Sequence, residues 1–570
     1  MEKPPKYIAP ATIEIPDRTW PDKTITRTPV WASVDLRDGN QALPIPMNPQ
    51  QKLEYFQMLC DIGFKEIEVG FPAASEDDFD FVRMLIDENR IPSGVRIGVL
   101  TPARPELIRK TILSLRGLKE KAIVNCYLAI SDLHSSFVFE HDRQQTLALA
   151  VSGTAMIRKV LTANHLADQV GFEFSTEEFT DSDLDFAVEL CSRVKETWGS
   201  STPENFILNL AATVERRPPN HYADMIELFC RKYPYMKETC ISLHAHNDQG
   251  CAVAATELAL LAGATRVEGS IFGHGERTGN MDISILALNL ESRGVPTGLC
   301  FKNMPELVRI VERNTGMEVP PRYPYAGVLA FTAFAGSHQD AIRKGLEKKQ
   351  TINRHFNQGW KIPYLHIDPA DVGREYEKLI RINSQSGKGG VVYILEHEFN
   401  IRPPKSMHPE IGFAVQRHLE HTGGEVDAAT LKEIFYQNFV NVRGKYKIEN
   451  YHRTAAEGNE VESSFIWYIN SSRLELSARG NGPVSAMVRA LKSSGLMPFF
   501  KMEDFSERSL GTDADAKVLA FVGLRCKTNS SKLVYGAGED TNMDKAAIMA
   551  MVSALNRAAN LGAWDTNDNE

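Results

Sequence analysis

The sequence predicts a (β/α)₈ TIM barrel, an α/β fold, followed by a helical linker region and a C-terminal α+β domain. Three observations predict it. The chain has 570 residues, more than one hydrophobic core accommodates. Between residue 28 and residue 305, short apolar runs rich in Val, Ile and Phe alternate with amphipathic stretches, the pattern of a parallel sheet. Eight such units fit this span, which matches a barrel in number and length. A doubly wound open sheet is the alternative, but it usually has fewer strands.

The extended runs fall at residues 30–36, 66–71, 95–100, 122–130, 170–174, 206–211, 240–244 and 266–272. Helical stretches lie between them, at 49–62, 76–89, 144–163, 182–196, 221–233 and 252–261. Ahead of the barrel, residues 1–27 read as an N-terminal arm. Residues 306–440 are helical, broken by Pro clusters at 319–324, 362–369 and 402–408, and read as linker subdomains. From 441 to 570 the pattern changes to extended runs at 462–469, 473–478, 518–524 and 532–536, with helices at 483–493 and 543–561. That span is a separate α+β domain.

Composition narrows the function. Apolar residues make up 43% and charged residues 24%, the mixture of a soluble globular protein. A net charge of −9 without a dense Lys/Arg run argues against a nucleic-acid partner. The eight cysteines contain no C-x-x-C pair, so they read as reduced and inert rather than as a zinc ribbon or redox motif. The Pro-rich, polar N-terminus has no apolar signal core. No uninterrupted apolar run approaches the ~18 residues of a membrane span. The expected compartment is the cytoplasm, with no membrane partner.

The sharpest motif is Leu243-His244-Ala245-His246-Asn247-Asp248-Gln249-Gly250, at the end of the seventh run. Two histidines at i and i+2 on an extended chain share a face and can ligate one metal ion. On its own, H-x-H is equally well read as two polar residues ending a strand. The first run ends in Asp35-Leu36-Arg37-Asp38-Gly39-Asn40-Gln41, and the eighth in Gly273-His274-Gly275-Glu276-Arg277-Thr278-Gly279-Asn280. In a closed barrel these three loops emerge on one rim. Asp38, His244, His246 and Asn280 can then converge as two oxygen and two nitrogen ligands, a set that suits Mg²⁺, Mn²⁺ or Zn²⁺. Competing cofactor motifs fail on single residues. Thr278 stands where a dinucleotide loop needs Gly or Ala, Gly389 follows Gly387-Lys388 where a P-loop needs Ser or Thr, and Ile401 replaces the second His of H-E-x-x-H.

Leu36-Arg37-Asp38-Gly39-Asn40-Gln41 with Lys52 downstream, and the run from His244 to Ala252, resemble the two signatures of the 2-isopropylmalate/homocitrate synthase family. The stretches 209–215, 336–340 and 383–390 extend that resemblance over nearly the whole chain. It implies a Claisen condensation of acetyl-CoA with a 2-oxo acid on a divalent metal, Mg²⁺ first among the candidates. The implied 2-oxo acid is 2-oxoisovalerate, with 2-oxoglutarate or pyruvate (homocitrate or citramalate synthesis) as alternatives. A non-catalytic amino-acid sensor is the alternative from another class. The resemblance makes Arg37 the stabiliser of the developing oxyanion and Thr213 and Glu173 substrate-site residues, both expected to face one cavity from their strand ends. Glu276 would orient water or support the ligands. His338, with Tyr364, would be the base, contributed across a homodimer. The C-terminal domain would bind leucine as an effector through Gly-rich turns at 480–484 and 536–540.

Overall fold

A computed structural model describes residues 6–562, apart from residues 8, 11, 200–201, 334–335, 358, 377–381, 384–387, 423–424, 456–459, 496–499, 512–514 and 527–532. Part of the resembling stretch 383–390 therefore lies outside the described residues. The chain forms two compact units, residues 1–319 with 344–374, and residues 320–343 with 375–570.

The first unit holds eight parallel strands: β1 (Val30–Ser33), β2 (Glu66–Gly70), β3 (Arg96–Pro102), β4 (Ala122–Ala129), β5 (Val170–Glu177), β6 (Phe206–Ala212), β7 (Cys240–Ala245) and β8 (Arg266–Gly269). They close into a barrel in chain order, and β8 pairs back to β1 from Val30↔Arg266 to Ser33↔Gly269. The period-2 alternation of side chains sorts each strand into two faces. On β5, Phe172 and Phe174 point outward, where Phe172 stacks on Trp198 at 4.7 Å. Glu173, Ser175 and Glu177 therefore point into the barrel. The helices behind the strands have clear stops and starts. Helix Pro49–Ile62 opens with a reciprocal cap between Asn48 and Gln51 and ends on Gly63 at φ +115°.

The N-terminal arm is pinned to helix Pro219–Lys232. Arg18 makes a two-pronged ion pair with Asp224 at 2.6 and 2.7 Å, Trp20 Nε1 donates to Asp224 at 2.7 Å, and Thr19 bonds Glu227. Among the described residues one helix, Arg143–Ala163, is long and apolar enough to cross a membrane. In this fold it packs in the outer ring against helices Pro105–Ser114 and Leu184–Trp198. Cys60, Cys126, Cys191, Cys230, Cys240, Cys251 and Cys300 are free thiols, and burial pushes the Cys126 pKa up to about 12.

In the second unit, strands β9 (Ile382–Asn383) and β10 (Glu425–Val426) form a short ladder. Beyond it the chain builds the same motif twice. Strands β11 (Tyr446–Ala455), β12 (Val461–Ile469) and β13 (Ser472–Gly480) lead into helix Pro483–Ser493. Strands β14 (Phe500–Ser509), β15 (Val518–Cys526) and β16 (Leu533–Asp540) lead into helix Met543–Asn560. Both sheets are antiparallel meanders. One face of β15 (Ala520, Val522, Leu524) enters the core shared with Trp467, Met487 and Met551. The opposite face (Leu519, Phe521) packs on Ile411, Leu431 and Phe435 of the preceding helices.

Three sequence expectations change here. Strands β11 and β14 were absent from the sequence reading, and each carries a register shift, at Ile448/Asn450 and Met502/Asp504. A bulge flips the alternation midway, so neither half shows a sustained period of two. Residues 536–540 do not form a turn: they are the second half of β16. A Cβ on Gly536 would strike Ala554 N, and one on Gly538 would strike Ala546 O and Ala550 N, so these glycines let the helix lie against the strand. Finally, β5 continues four residues past Glu173, which places that residue in mid-strand.

Candidate metal centre

The segment after β1 does not enter a regular helix. Residues Asp35–Gly39 make one wide turn, closed by Gly39 N donating to Val34 O at 3.1 Å, which carries Arg37 and Asp38 over the barrel mouth. Asp35 anchors that turn from below. Its carboxylate accepts from Ser33 Oγ at 2.7 Å, Tyr55 Oη at 2.9 Å and Ile271 N at 3.0 Å, tying the first loop to the eighth. Burial raises its pKa to about 7 despite these donors.

His244 is the inward residue near the end of β7, and His246 follows just beyond the strand. The loop after β8 folds back so that Asn280 pairs with His246 as an isolated bridge and Met281 N donates to Ala245 O at 2.7 Å. Glycine makes the fold-back possible. Gly275 sits at φ +156°, where a Cβ would collide with Asn280 Nδ2 and stand 2.8 Å from Asp38 Oδ2.

The result is a buried cluster. One ligand atom from each of Asp38, His244 and His246 lies within 4.8 Å of the other two. Asn280 Nδ2 donates to Asp38 Oδ2 at 2.6 Å, while its Oδ1 is buried without a partner; His246 Nδ1 is likewise unpartnered. A buried amide oxygen and a buried imidazole nitrogen without partners, beside a carboxylate and a second imidazole, are what a cation would satisfy, so the donor set fits a divalent metal. Protonation states agree. Burial opposes the charge on Asp38, but Arg37 and the two imidazoles outweigh it and hold its pKa at about 2. Burial and the neighbouring His244 lower His246 to about 4, which keeps it neutral and able to ligate. His244 has its Nδ1 fixed by Glu268 Oε2 at 2.7 Å; burial disfavours its charge, but this bond raises its pKa.

Around the cluster opens a cavity of about 370 Å³, lined by Arg37, Asp38, Gln41, Phe71, Leu100, Asn125, Tyr127, Ser175, Glu177, Asn209, Ala211, Thr213, His244, His246, Glu276 and Arg277. Arg37 is held at its edge by Glu68 at 2.5 Å and by Asp38 at 2.7 Å. Thr213 Oγ1 accepts from Glu178 N at 2.7 Å. Glu276 accepts from Gln41 Nε2 at 2.9 Å, a rim position rather than a bond to any of the four candidate ligands. Arg277 is paired with Asp248 at 2.7 Å, and that bond holds the Asp248 pKa at about 2. Size does not single out this cavity, since a cleft of about 550 Å³ in the second unit is larger. The second cleft has no cluster of metal-ligating groups among the described residues.

Glu173 is a correction. It does not line the mouth but lies one layer deeper, with Glu66, Glu68, Arg266 and Glu268, bonded to Arg266 at 3.2 Å. Glu177, two inward positions further along β5, lines the cavity instead. Sequence reading missed Glu177 because it ended the strand at residue 174, although Glu173, Ser175 and Glu177 share a face by alternation. Glu268 was missed too, because nothing local to Arg266–Gly269 marks it as the partner of His244. His338, a residue of the second unit, is exposed on helix Gly336–Glu347. Tyr364 is 63% exposed at φ +63° in the first unit, and neither residue lines the cavity.

Comparison with known proteins adds an independent line. Residues 28–311 match the family described as HMGL-like, residues 328–396 the alpha-isopropylmalate synthase post-catalytic domain-like family, and residues 425–559 the LeuA allosteric (dimerisation) domain. The chain is 43% identical to a 2-isopropylmalate synthase of Clostridium acetobutylicum over 560 residues, 97% of this chain and 99% of that protein. It is 43% identical to one of Rhodospirillum rubrum over 97% of this chain and 98% of that protein. It is 44% identical to one of Thermobifida fusca over 96% of each.

Proposed function

The chain belongs to the 2-isopropylmalate synthase family, and we propose that it condenses acetyl-CoA with 2-oxoisovalerate at the mouth of its barrel, giving 2-isopropylmalate and CoA. The observation that carries this reading is the convergence of Asp38, His244 and His246, with Asn280 bonded to Asp38 and with Arg37 alongside, at a cavity whose lining includes Phe71, Leu100, Tyr127 and Ala211. A divalent cation held by those four residues supplies Lewis-acid polarisation of the 2-oxo acid's carbonyl. Magnesium is the proposed ion.

The remaining chemistry falls to the chain's own side chains. Arg37 is held by two carboxylates, so its guanidinium is fixed before reaction and faces the oxygen on which negative charge develops. Preorganised charge of this kind contributes roughly 3–4 kcal/mol. Thr213 and Glu177 orient the 2-oxo acid from the ends of β6 and β5. Phe71, Leu100, Tyr127 and Ala211 receive its branched alkyl group; Phe71 and Tyr127 meet edge to face at 6.2 Å. Among the described residues of the lining, both arginines already hold carboxylates, Arg37 with Glu68 and Arg277 with Asp248. The lining therefore offers no surplus positive charge for the second carboxylate of 2-oxoglutarate, which favours the branched substrate.

A proton leaves the thioester methyl group, the methyl carbon bonds to the ketone carbon, and the former ketone oxygen takes up a proton. Water then cleaves the thioester and releases CoA. His338 is the base in this reading, with Tyr364 as its companion, delivered by the second copy of a cytoplasmic homodimer. The match of residues 425–559 to an allosteric dimerisation domain supports the dimer and, further, leucine as its effector. The test is release of CoA thiol from acetyl-CoA with 2-oxoisovalerate, 2-oxoglutarate and pyruvate. The highest kcat/KM is expected with 2-oxoisovalerate. A higher value with another acid would reassign the substrate, and no release with any of them would point to a sensor.

A further inference from the structure

We infer that Glu178, which lies outside the cavity lining, is a positioning residue that aims Glu177 and Thr213 into the mouth. The inference rests on the reading above that those two side chains contact the 2-oxo acid. Glu178 is 7% exposed and stands at φ +58°, ψ +33°, the left-handed region that a non-glycine residue enters only at a cost of roughly 1 kcal/mol or more. It comes directly after the last residue of β5, where continued extension would carry the chain along the strand. The left-handed turn stops the strand there and leaves Glu177 as its last inward side chain.

Three bonds hold that conformation. The Glu178 carboxylate accepts from Ser131 Oγ and pairs with His134 Nδ1 at 3.2 Å. Its backbone N–H donates to Thr213 Oγ1 at 2.7 Å. Ser131 is in turn the cap of helix Asp132–Phe137, accepting from His134 N at 3.0 Å. One carboxylate therefore ties the segment after β4 to the end of β5, and the same residue's amide fixes the hydroxyl after β6. The neighbouring Ile130 N→Glu177 O bond at 3.0 Å keeps Glu177 in register with the β4 segment. Neither Ser131, His134 nor Glu178 lines the cavity.

Substitutions separate the carboxylate from the backbone. Glu178→Gln keeps the length and an acceptor. Glu178→Gly adopts the left-handed conformation freely but loses the anchor, and Glu178→Ala loses both. Steady-state kinetics with 2-oxoisovalerate and acetyl-CoA are measured for each, with Tm as a control for folding. The expected result is a KM for the 2-oxo acid raised about 10-fold in Glu178→Gly and Glu178→Ala, with KM for acetyl-CoA and kcat changed less than about 3-fold, and with Glu178→Gln close to the parent. An unchanged KM in Glu178→Ala overturns the inference, and so does an equal loss in Glu178→Gln and Glu178→Ala. Thr213→Ala and Glu177→Gln test the reading beneath it. If neither moves KM for the 2-oxo acid, that reading fails; if both do and Glu178→Ala does not, only the positioning role fails.

Discussion

The barrel interior holds two polar layers a few residues apart on the same strands, and they solve burial in opposite ways. In the lower layer Arg266 meets Glu66 at 2.7 Å, Glu268 at 2.5 Å, Glu173 at 3.2 Å and Ser242 Oγ at 2.7 Å. Charge is balanced there by the protein itself. In the upper layer Asn280 Oδ1, His246 Nδ1 and Asn209 Oδ1 are buried without a partner. A buried polar atom left unpaired costs about 1–3 kcal/mol, a burden a fold carries where a ligand completes the set. Burial and charge alone do not distinguish a site from a structural network. Incompleteness among clustered metal-ligating atoms does, whereas single unpartnered atoms such as Arg96 Nε, on the arginine paired with Glu66, occur elsewhere.

Removing a ligand from the incomplete layer should have the largest effect on turnover. His246→Ala takes away one of two imidazoles, and a Lewis acid is worth several kcal/mol in the transition state. The expected loss in kcat is about 10³-fold or more, with metal content after dialysis falling in parallel and Tm nearly unchanged. Full turnover in His246→Ala with the metal still bound would erase the contrast between the layers. Arg37→Gln comes next. It keeps the ligand set but removes the charge facing the oxyanion, and a fall in kcat of about 10²–10³-fold is expected, with metal affinity retained.

Glu268 joins the layers, since one oxygen holds Arg266 below and the other holds His244 Nδ1 above, with Asn209 Nδ2 at 2.8 Å. Glu268→Gln should weaken metal affinity or activity by about 10–100-fold, the usual range for a group that orients a ligand. Calorimetric titration with Mg²⁺ or Mn²⁺ reads this directly. An unaltered affinity would mean that His244 is oriented by the strand alone.

How much of this the sequence carries depends on how local each signal is. The eight barrel strands follow from apolar runs and turn residues within a few positions of one another. The segments that bring Asp38, His244, His246 and Asn280 together were legible because long motifs mark the ends of three strands. Strands β11 and β14 were not legible, because a bulge in each reverses the alternation. The depth of Glu173 was not legible either. An inward residue reads the same wherever it sits along a strand, and depth depends on where the strand stops, which is set for β5 by the left-handed turn at Glu178.

That last point gives the smallest expected effect on turnover and the clearest test of the two-layer distinction. Burial, with Glu268 beside it, pushes the Glu173 pKa well up, against the pull of Arg266. A glutamine there keeps the length and a hydrogen-bonding group within reach of Arg266 and Glu268. Glu173→Gln should therefore leave kcat and KM within about 3-fold of the parent and alter stability by less than about 1 kcal/mol. Arg266→Met, in the same layer, removes the cation that Glu66 and Glu268 share, leaving Glu66 only Arg96 and Glu268 only His244, and should destabilise the fold by about 3–5 kcal/mol, read as a large drop in Tm. If Glu173→Gln instead raised KM for the 2-oxo acid tenfold at unchanged Tm, the lower layer would belong to the substrate site. The division between a self-balanced floor and an incomplete mouth would then have to be drawn deeper in the barrel.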